Sequence, residues 1–193
     1  MADGAGFGSM RAGTLLRTAR TEIRSDTSAI VEHPFMRAEF INPFIASLNN
    51  TFQTMLNCRV RRGELSLKEN CRSSHEISGV IGLTGKAVGT VVLSLSREVA
   101  LKAASTLLLA ETTEIDADVL DAVGELTNMV AGGAKAQLEA YDLAVSLPNV
   151  ITGKDHEVHF PSNVTPICIQ FLTDWGPLTL EVGLAPVPVA CTV

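Results

Sequence analysis

Aromatic residues are scarce in this chain, with one tryptophan, one tyrosine and seven phenylalanines among 193 residues. Gly, Ala, Val and Leu dominate instead, so a close-packed aliphatic core is expected. Basic residues are few as well: 15 Lys and Arg stand against 21 Asp and Glu, a net charge of −6. With no basic stripe interleaved with aromatics, the chain does not read as a nucleic-acid binder. No apolar run reaches the length of about 18 residues that a membrane-spanning helix needs. The four cysteines, Cys58, Cys71, Cys168 and Cys191, are scattered without a CxxC pair. They read as isolated thiols in a reducing compartment, the cytoplasm, and not as a zinc knuckle or a disulfide frame. A Gly-rich phosphate loop, a GxSxG elbow and an HExxH helix are all missing, which removes the commonest signatures of nucleotide, serine-nucleophile and zinc-peptidase chemistry.

The first 35 residues differ from the rest. They are rich in Gly, Ala, Ser and Thr and lack a sustained apolar face. No apolar centre of a secretory signal occurs there. Arg11, Arg17, Arg20 and Arg24 balance Asp3, Glu22, Asp26 and Glu32, so the net charge of −6 belongs to residues 36–193. The expectation is a disordered tail over 1–35 and one domain over 36–193.

Within that domain Asn42-Pro43 reads as a helix start, with Asn42 capping and Pro43 at the first helical position. Steps of about 100° per residue put Phe44, Ile45, Leu48, Phe52, Met55 and Leu56 on one face, and Asn57 is an end signal. After the unassigned stretch CRVRRGELSLKEN, the runs HEISGVIGLTG and AVGTVVLSLS meet near Gly85-Lys86 as a hairpin. SREVALKAASTLLLAE is a helix capped by Ser96, and an acidic lead opens a long helix over 117–140. LAVSLPNVITG, HEVHF, TPICIQFLT and GPLTLEVGL follow as strand candidates, the last two joined through Asp174-Trp175-Gly176. Helix 42–57 with hairpin 76–95, and helix 117–140 with hairpin 165–184, suggest a pseudo-duplicated pair of helix-plus-hairpin units. The expected fold class is α+β, an antiparallel sheet with long helices packed on one face.

The long helix carries the candidate chemistry. Leu120, Val123, Leu126, Thr127, Val130, Ala134 and Leu138 spread over its apolar side. Asp118, Asp121, Glu125, Asn128, Gly132 and Lys135 fall in a narrow stripe, where Glu125 and Asn128 stand side by side at i and i+3. Gly132 leaves the next turn of that stripe bare, while Gly133 points toward the apolar side. Each glycine costs about 1 kcal/mol against Ala in a helix interior, so two together call for close packing or access for a partner. On spacing alone such a stripe is either a solvated face or a site.

The wording of the stretch adds a resemblance. GELTNMVAGGAKAQLE resembles the active-site helix of the CheC/CheX/FliY group of response-regulator phosphatases, whose signature is ExxN. FINPFIASLNNTFQTMLN and VIGLTGKAVGTVVLSLS resemble the opening helix and following hairpin of the CheX type, so the likeness covers about residues 36–190. It implies dephosphorylation of the aspartyl phosphate of a CheY-type regulator in chemotaxis or two-component signalling. It also implies that Asn128 orients the attacking water and Glu125 anchors a lysine of the regulator, with Gly132 and Lys135 serving docking. Mg²⁺ is expected on the partner regulator and no cofactor on this chain, and the CheX type implies a homodimer joined through its sheets. The equivalent of a second ExxN pair would be Ser47 and Asn50, and Ser47 in place of Glu favours one pair per subunit. A second reading is a non-catalytic module of the same fold that scaffolds a signalling or flagellar complex. His156-Glu157-Val158-His159 is no metal site on this reading, because residues three apart on a strand face opposite sides.

Overall fold

The sheet is built outward from two hairpins, each closed by a glycine that turns with positive φ. In the computed structural model, which describes residues 38–68, 73 and 75–187, β2 (Ile77–Thr84) and β3 (Ala87–Leu95) turn at Gly85, φ +136°. β6 (Ile167–Thr173) and β7 (Gly176–Pro186) turn at Gly176, φ +139°. β3 and β7 then pair antiparallel along their whole length, with Val91 opposite Val182. The expected tail over 1–35 lies outside the described residues.

Around this centre the order is β1-β6-β7-β3-β2-β4, and β5 also pairs with β2. β1 (Val60–Leu67) follows α1 (Ala38–Met55) but pairs with β6 of the other hairpin. β4 (Ala144–Val145) and β5 (Asn149–Thr152) follow α3 (Ala117–Gln137) and pair with β2. Each unit therefore lends its first strand to the other unit's hairpin, with α2 (Arg97–Leu108) inserted between the two. The α+β duplication read from the sequence stands, with this exchange added to it.

One face of the sheet carries the core. Ile77, Ile81, Leu83, Val91, Leu93, Leu95, Ile169, Phe171, Leu178 and Leu180 meet Phe44, Leu48 and Phe52 of α1 and Val123, Leu126 and Val130 of α3. Each large side chain so buried contributes about 1.5–3 kcal/mol. The opposite face is not bare: Phe160 and Val164 lie within contact distance of the space beside Gly183, and His156 reaches Ser78. No helix among the described residues is long and apolar enough to cross a membrane.

Three local expectations need correction. α1 does not start at Asn42-Pro43; Pro43 lies inside it, and the first turn includes the buried Phe40 and Ile41. Phe40 also meets Tyr141 edge-on at 4.8 Å between ring centroids, so packing draws an extra turn into the helix past the local cap signal. CRVRRGELSLKEN contains β1, an edge strand whose mostly exposed side chains show no apolar alternation. HEVHF is not a strand: apart from one isolated bridge at Glu157 it crosses the sheet as irregular chain.

Candidate functional site

α3 is held at both ends of its polar stripe by features of its own sequence. Asp116 caps it, accepting from the Val119 N–H at 3.0 Å, and the acid also complements the partial positive charge of the helix N-terminus. Thr127 is fully buried and donates to the Val123 carbonyl at 2.7 Å. Its side chain occupies the space left by Gly79 of β2, where any Cβ would overlap it. That close approach fixes the depth and rotation of the helix against the sheet. Gly133 does the same toward α1, because a Cβ there would overlap Ser47 Oγ and stand 3.2 Å from Ser47 Cβ.

With those contacts in place the stripe faces outward. Glu125 and Lys135 are exposed, and Asn128 is half-buried between them. Among the described residues none of the three side chains has a hydrogen-bond or ion-pair partner, so their donors and acceptors stay available to something else. Gly132 is bare: nothing lies within 4 Å of the place a Cβ would take. Beyond it opens a groove of about 590 Å³ lined by Gly132, Lys135, Glu139, Asp142 and Val145. The four residues singled out in the sequence thus share one surface. An amide that can both donate and accept, a carboxylate, and a gap beside them can hold a water and a partner's cation. No nucleophile stands among them.

The Ser47/Asn50 pair is split. Ser47 is buried in the seam between α1 and α3, where its hydroxyl donates to the Met129 carbonyl at 3.5 Å, while Asn50 is exposed.

A buried polar cluster on the far face of the sheet was not legible in the sequence. Ser73, Ser78 and Ser94 hydroxyls lie 2.7–2.9 Å from one another, and His156 Nε2 is 2.8 Å from Ser78 Oγ. His156 Nδ1 faces the Gly153 carbonyl at 2.8 Å. A carbonyl only accepts, so Nδ1 donates there, and Nε2 of a neutral ring accepts from Ser78. Glu181 is buried beside Lys68, which pairs with it; burial pushes the Glu181 carboxyl up, and the lysine opposes that rise. Burial likewise holds the His75 imidazole below its ordinary value. These groups satisfy one another across the sheet from the stripe and do not join it. Among the described residues no group of three or more His, Cys, Asp or Glu is placed to hold a metal ion. His159 is exposed near Glu157, at 3.7 Å.

Comparison with known proteins identifies the family. The family model described as chemotaxis phosphatase CheX matches residues 77–172, a span that includes all of α3. The CheY-P phosphatase CheX of Thermotoga maritima is 32% identical over 126 residues, covering 64% of this chain and 81% of that protein. A CheC-like superfamily protein from a Shewanella species has a crystal structure similar at TM-score 0.72 with 33% identity, covering 78% of this chain and 99% of that one. The CheX–CheY–BeF3–Mg²⁺ complex from Borrelia burgdorferi shares the fold at TM-score 0.64 and 22% identity, over 77% of this chain and 99% of that one. Identity and coverage of the Thermotoga protein, joined to an ExxN pair presented on the surface of α3, show that the chain belongs to the CheX family of chemotaxis phosphatases.

Proposed function

We propose that the chain is an aspartyl-phosphate phosphatase that dephosphorylates a CheY-type response regulator. The carrying observation is the unpartnered Glu125–Asn128 pair, the carboxylate exposed and the amide half-buried, beside the bare Gly132. In-line phosphoryl transfer asks little of a second protein beyond positioning. Water attacks phosphorus, the bond from phosphorus to the aspartyl oxygen breaks, and inorganic phosphate leaves a free carboxylate on the regulator. Asn128 holds that water, its amide oxygen accepting from one water hydrogen and its N–H donating to the water oxygen. An amide does this without titrating. Glu125 pairs with a lysine of the regulator, which fixes the angle at which the two proteins meet. Lys135, near Gly132 on the stripe, offers its ammonium to the regulator's acidic surface.

Mg²⁺ in this proposal belongs to the regulator, where it neutralises phosphoryl oxygens, and the chain works in the cytoplasm. It works as a homodimer joined along β1. No described strand pairs with the outer edge of β1, and Leu65 and Leu67 are each nearly half exposed there. Sedimentation of a Leu65→Lys variant checks that arrangement, with the monomer as the expected result.

The deciding experiment is phosphate release from phosphorylated receiver domains, wild type beside Asn128→Ala. Loss of at least about 100-fold in turnover is expected from removing the group that positions the nucleophile, with an unchanged melting temperature. A variant that still turns over at the wild-type rate would remove the mechanism. A scaffold reading has no use for the unpartnered pair. It would gain only if Glu125→Ala left both binding and turnover as they were.

A further inference from the structure

After α3 the chain turns back and runs along the Asn128 side of that helix. At one end Val145 lines the groove beside Gly132. At the other, Pro148 lies against Gly124, its Cγ 3.5 Å from the place a Cβ would take. Leu147 falls between these two contacts in the chain. It is 86% exposed. The loop that presents it is tied down: Ser146 N–H donates to the Gly82 carbonyl at 2.9 Å, and Gly82 N–H donates to Ser146 Oγ at 3.0 Å. Ser146 Oγ in turn donates to the Leu147 carbonyl at 2.9 Å, and Pro148 restricts the backbone on the other side. A leucine held rigidly in water gains nothing in the free protein and has little entropy left to lose when something covers it.

The groove next to it has a charge preference. Glu139 and Asp142 stand on its rim with Lys135, and Glu125 and Asp121 continue the acidic character along the stripe. Two carboxylates against one ammonium on this rim favour a basic group, beside an acidic one for Lys135, on a partner that lays its phosphorylated aspartate on Asn128.

We infer that Leu147 and the groove beside Gly132 form a second docking contact that decides which receiver domain is a substrate. Leu147 enters an apolar depression beside the partner's phosphorylated aspartate, and a basic side chain of the same partner enters the groove between Glu139 and Asp142. The occupant is the receiver domain because Gly132 belongs to both the stripe and the groove, and the loop that carries Leu147 leads from that groove to Gly124, one turn before Asn128. This inference rests on the phosphatase reading and adds a specificity element to it. Leu147 is a positioning residue and touches no reacting atom.

The test is steady-state phosphate release by the full chain acting on a phosphorylated receiver that it turns over. Leu147→Ser should raise KM about tenfold, as expected from losing one buried leucine, with kcat unchanged. Glu139→Gln with Asp142→Asn should raise KM at low salt and lose that effect at high salt. Leu109→Ser is the matched control, since Leu109 is 93% exposed at the end of α2 and outside the proposed surface. An unchanged KM for Leu147→Ser overturns the docking contact and leaves the phosphatase reading standing. Wild-type protein that accelerates no receiver overturns both. Melting temperatures should stay together, because none of the substituted side chains is buried.

Discussion

The two adjacent glycines of α3 give a test in which stability and activity move in opposite directions. Gly132→Ala adds a methyl group where nothing lies within 4 Å, so the folded chain accepts it without strain. Replacing a helical glycine by alanine is worth about 1 kcal/mol, which for a domain of this size raises the melting temperature by about 2–4 °C. Gly133→Ala receives the same propensity gain but drives a Cβ into Ser47, whose own Cβ is 3.2 Å from that place. Overpacking of this kind costs about 1–3 kcal/mol, so the net effect runs from neutral to about 2 kcal/mol unfavourable. If Gly132 is the clearance through which a phosphoryl group reaches Asn128, its added methyl holds the partner away. A displacement of about 1 Å at a reacting centre costs about 100-fold in rate. Thermal melts and phosphate release on Gly132→Ala, Gly132→Leu and Gly133→Ala together decide the matter. The expected pattern is Gly132→Ala more stable and much slower, Gly132→Leu slower still, and Gly133→Ala no more stable yet near wild-type turnover. A Gly132→Leu protein with wild-type turnover would refute the clearance argument outright.

Lys68→Met leaves the Glu181 carboxylate, 1% exposed, without its cation, and should cost about 3–5 kcal/mol near neutral pH by urea unfolding. That deficit should shrink as pH falls, because burial already raises the Glu181 pKa and loss of Lys68 raises it further, so the buried acid takes up a proton sooner. The His75 pKa lies below its ordinary value of 6.5, so below that pH the unfolded chain binds the proton more readily. Its contribution is whole above pH 6.5 and is lost as pH falls through the folded value; Glu181 works oppositely, adding stability from its raised pKa down to 4.5. A His75→Gln variant should therefore lose less stability than wild type between neutral pH and mildly acidic pH in paired melts. Chelation of Mg²⁺ should stop phosphate release while leaving the melting temperature of this chain alone, and a melt that collapsed in EDTA would show a metal on the wrong protein.

What the sequence made legible were features settled within a few residues. Ser96 and Asp116 cap their helices, and Gly85 and Gly176 turn their hairpins, because each needs only a hydroxyl or carboxylate at the right offset or a residue free to take positive φ. The stripe from Glu125 to Lys135 was readable for the same reason, since helix periodicity alone puts its members together. Asn42-Pro43 misled because Phe40 and Ile41 gain more by burial than a cap supplies. Pro43 sits in the second turn, where its missing N–H forfeits only the bond to the Glu39 carbonyl. β1 was hidden because its partners on β6 lie 100 or more residues away and its side chains stay in water. The serine–histidine cluster joins Ser78 to Ser94 and to His156, 78 positions on, and no local pattern announces such a meeting.

The packing of α1 against α3 explains why a duplicated fold carries one ExxN pair. α1 and α3 lie against each other, and the seam between them closes because Gly133 makes room for Ser47. A glutamate at position 47 would need that same space for a longer, charged side chain, away from water and facing the backbone carbonyl of Met129 instead of a cation. A working second pair would therefore require α1 to rotate outward, and that would lift Phe44, Leu48 and Phe52 from the core. On α3 the burden is reversed. Thr127 and Gly133 take up the contacts to sheet and neighbour, so Glu125 and Asn128 have no structural duty and remain free for a partner. Close packing on one helix and an open site on the other are two consequences of one seam.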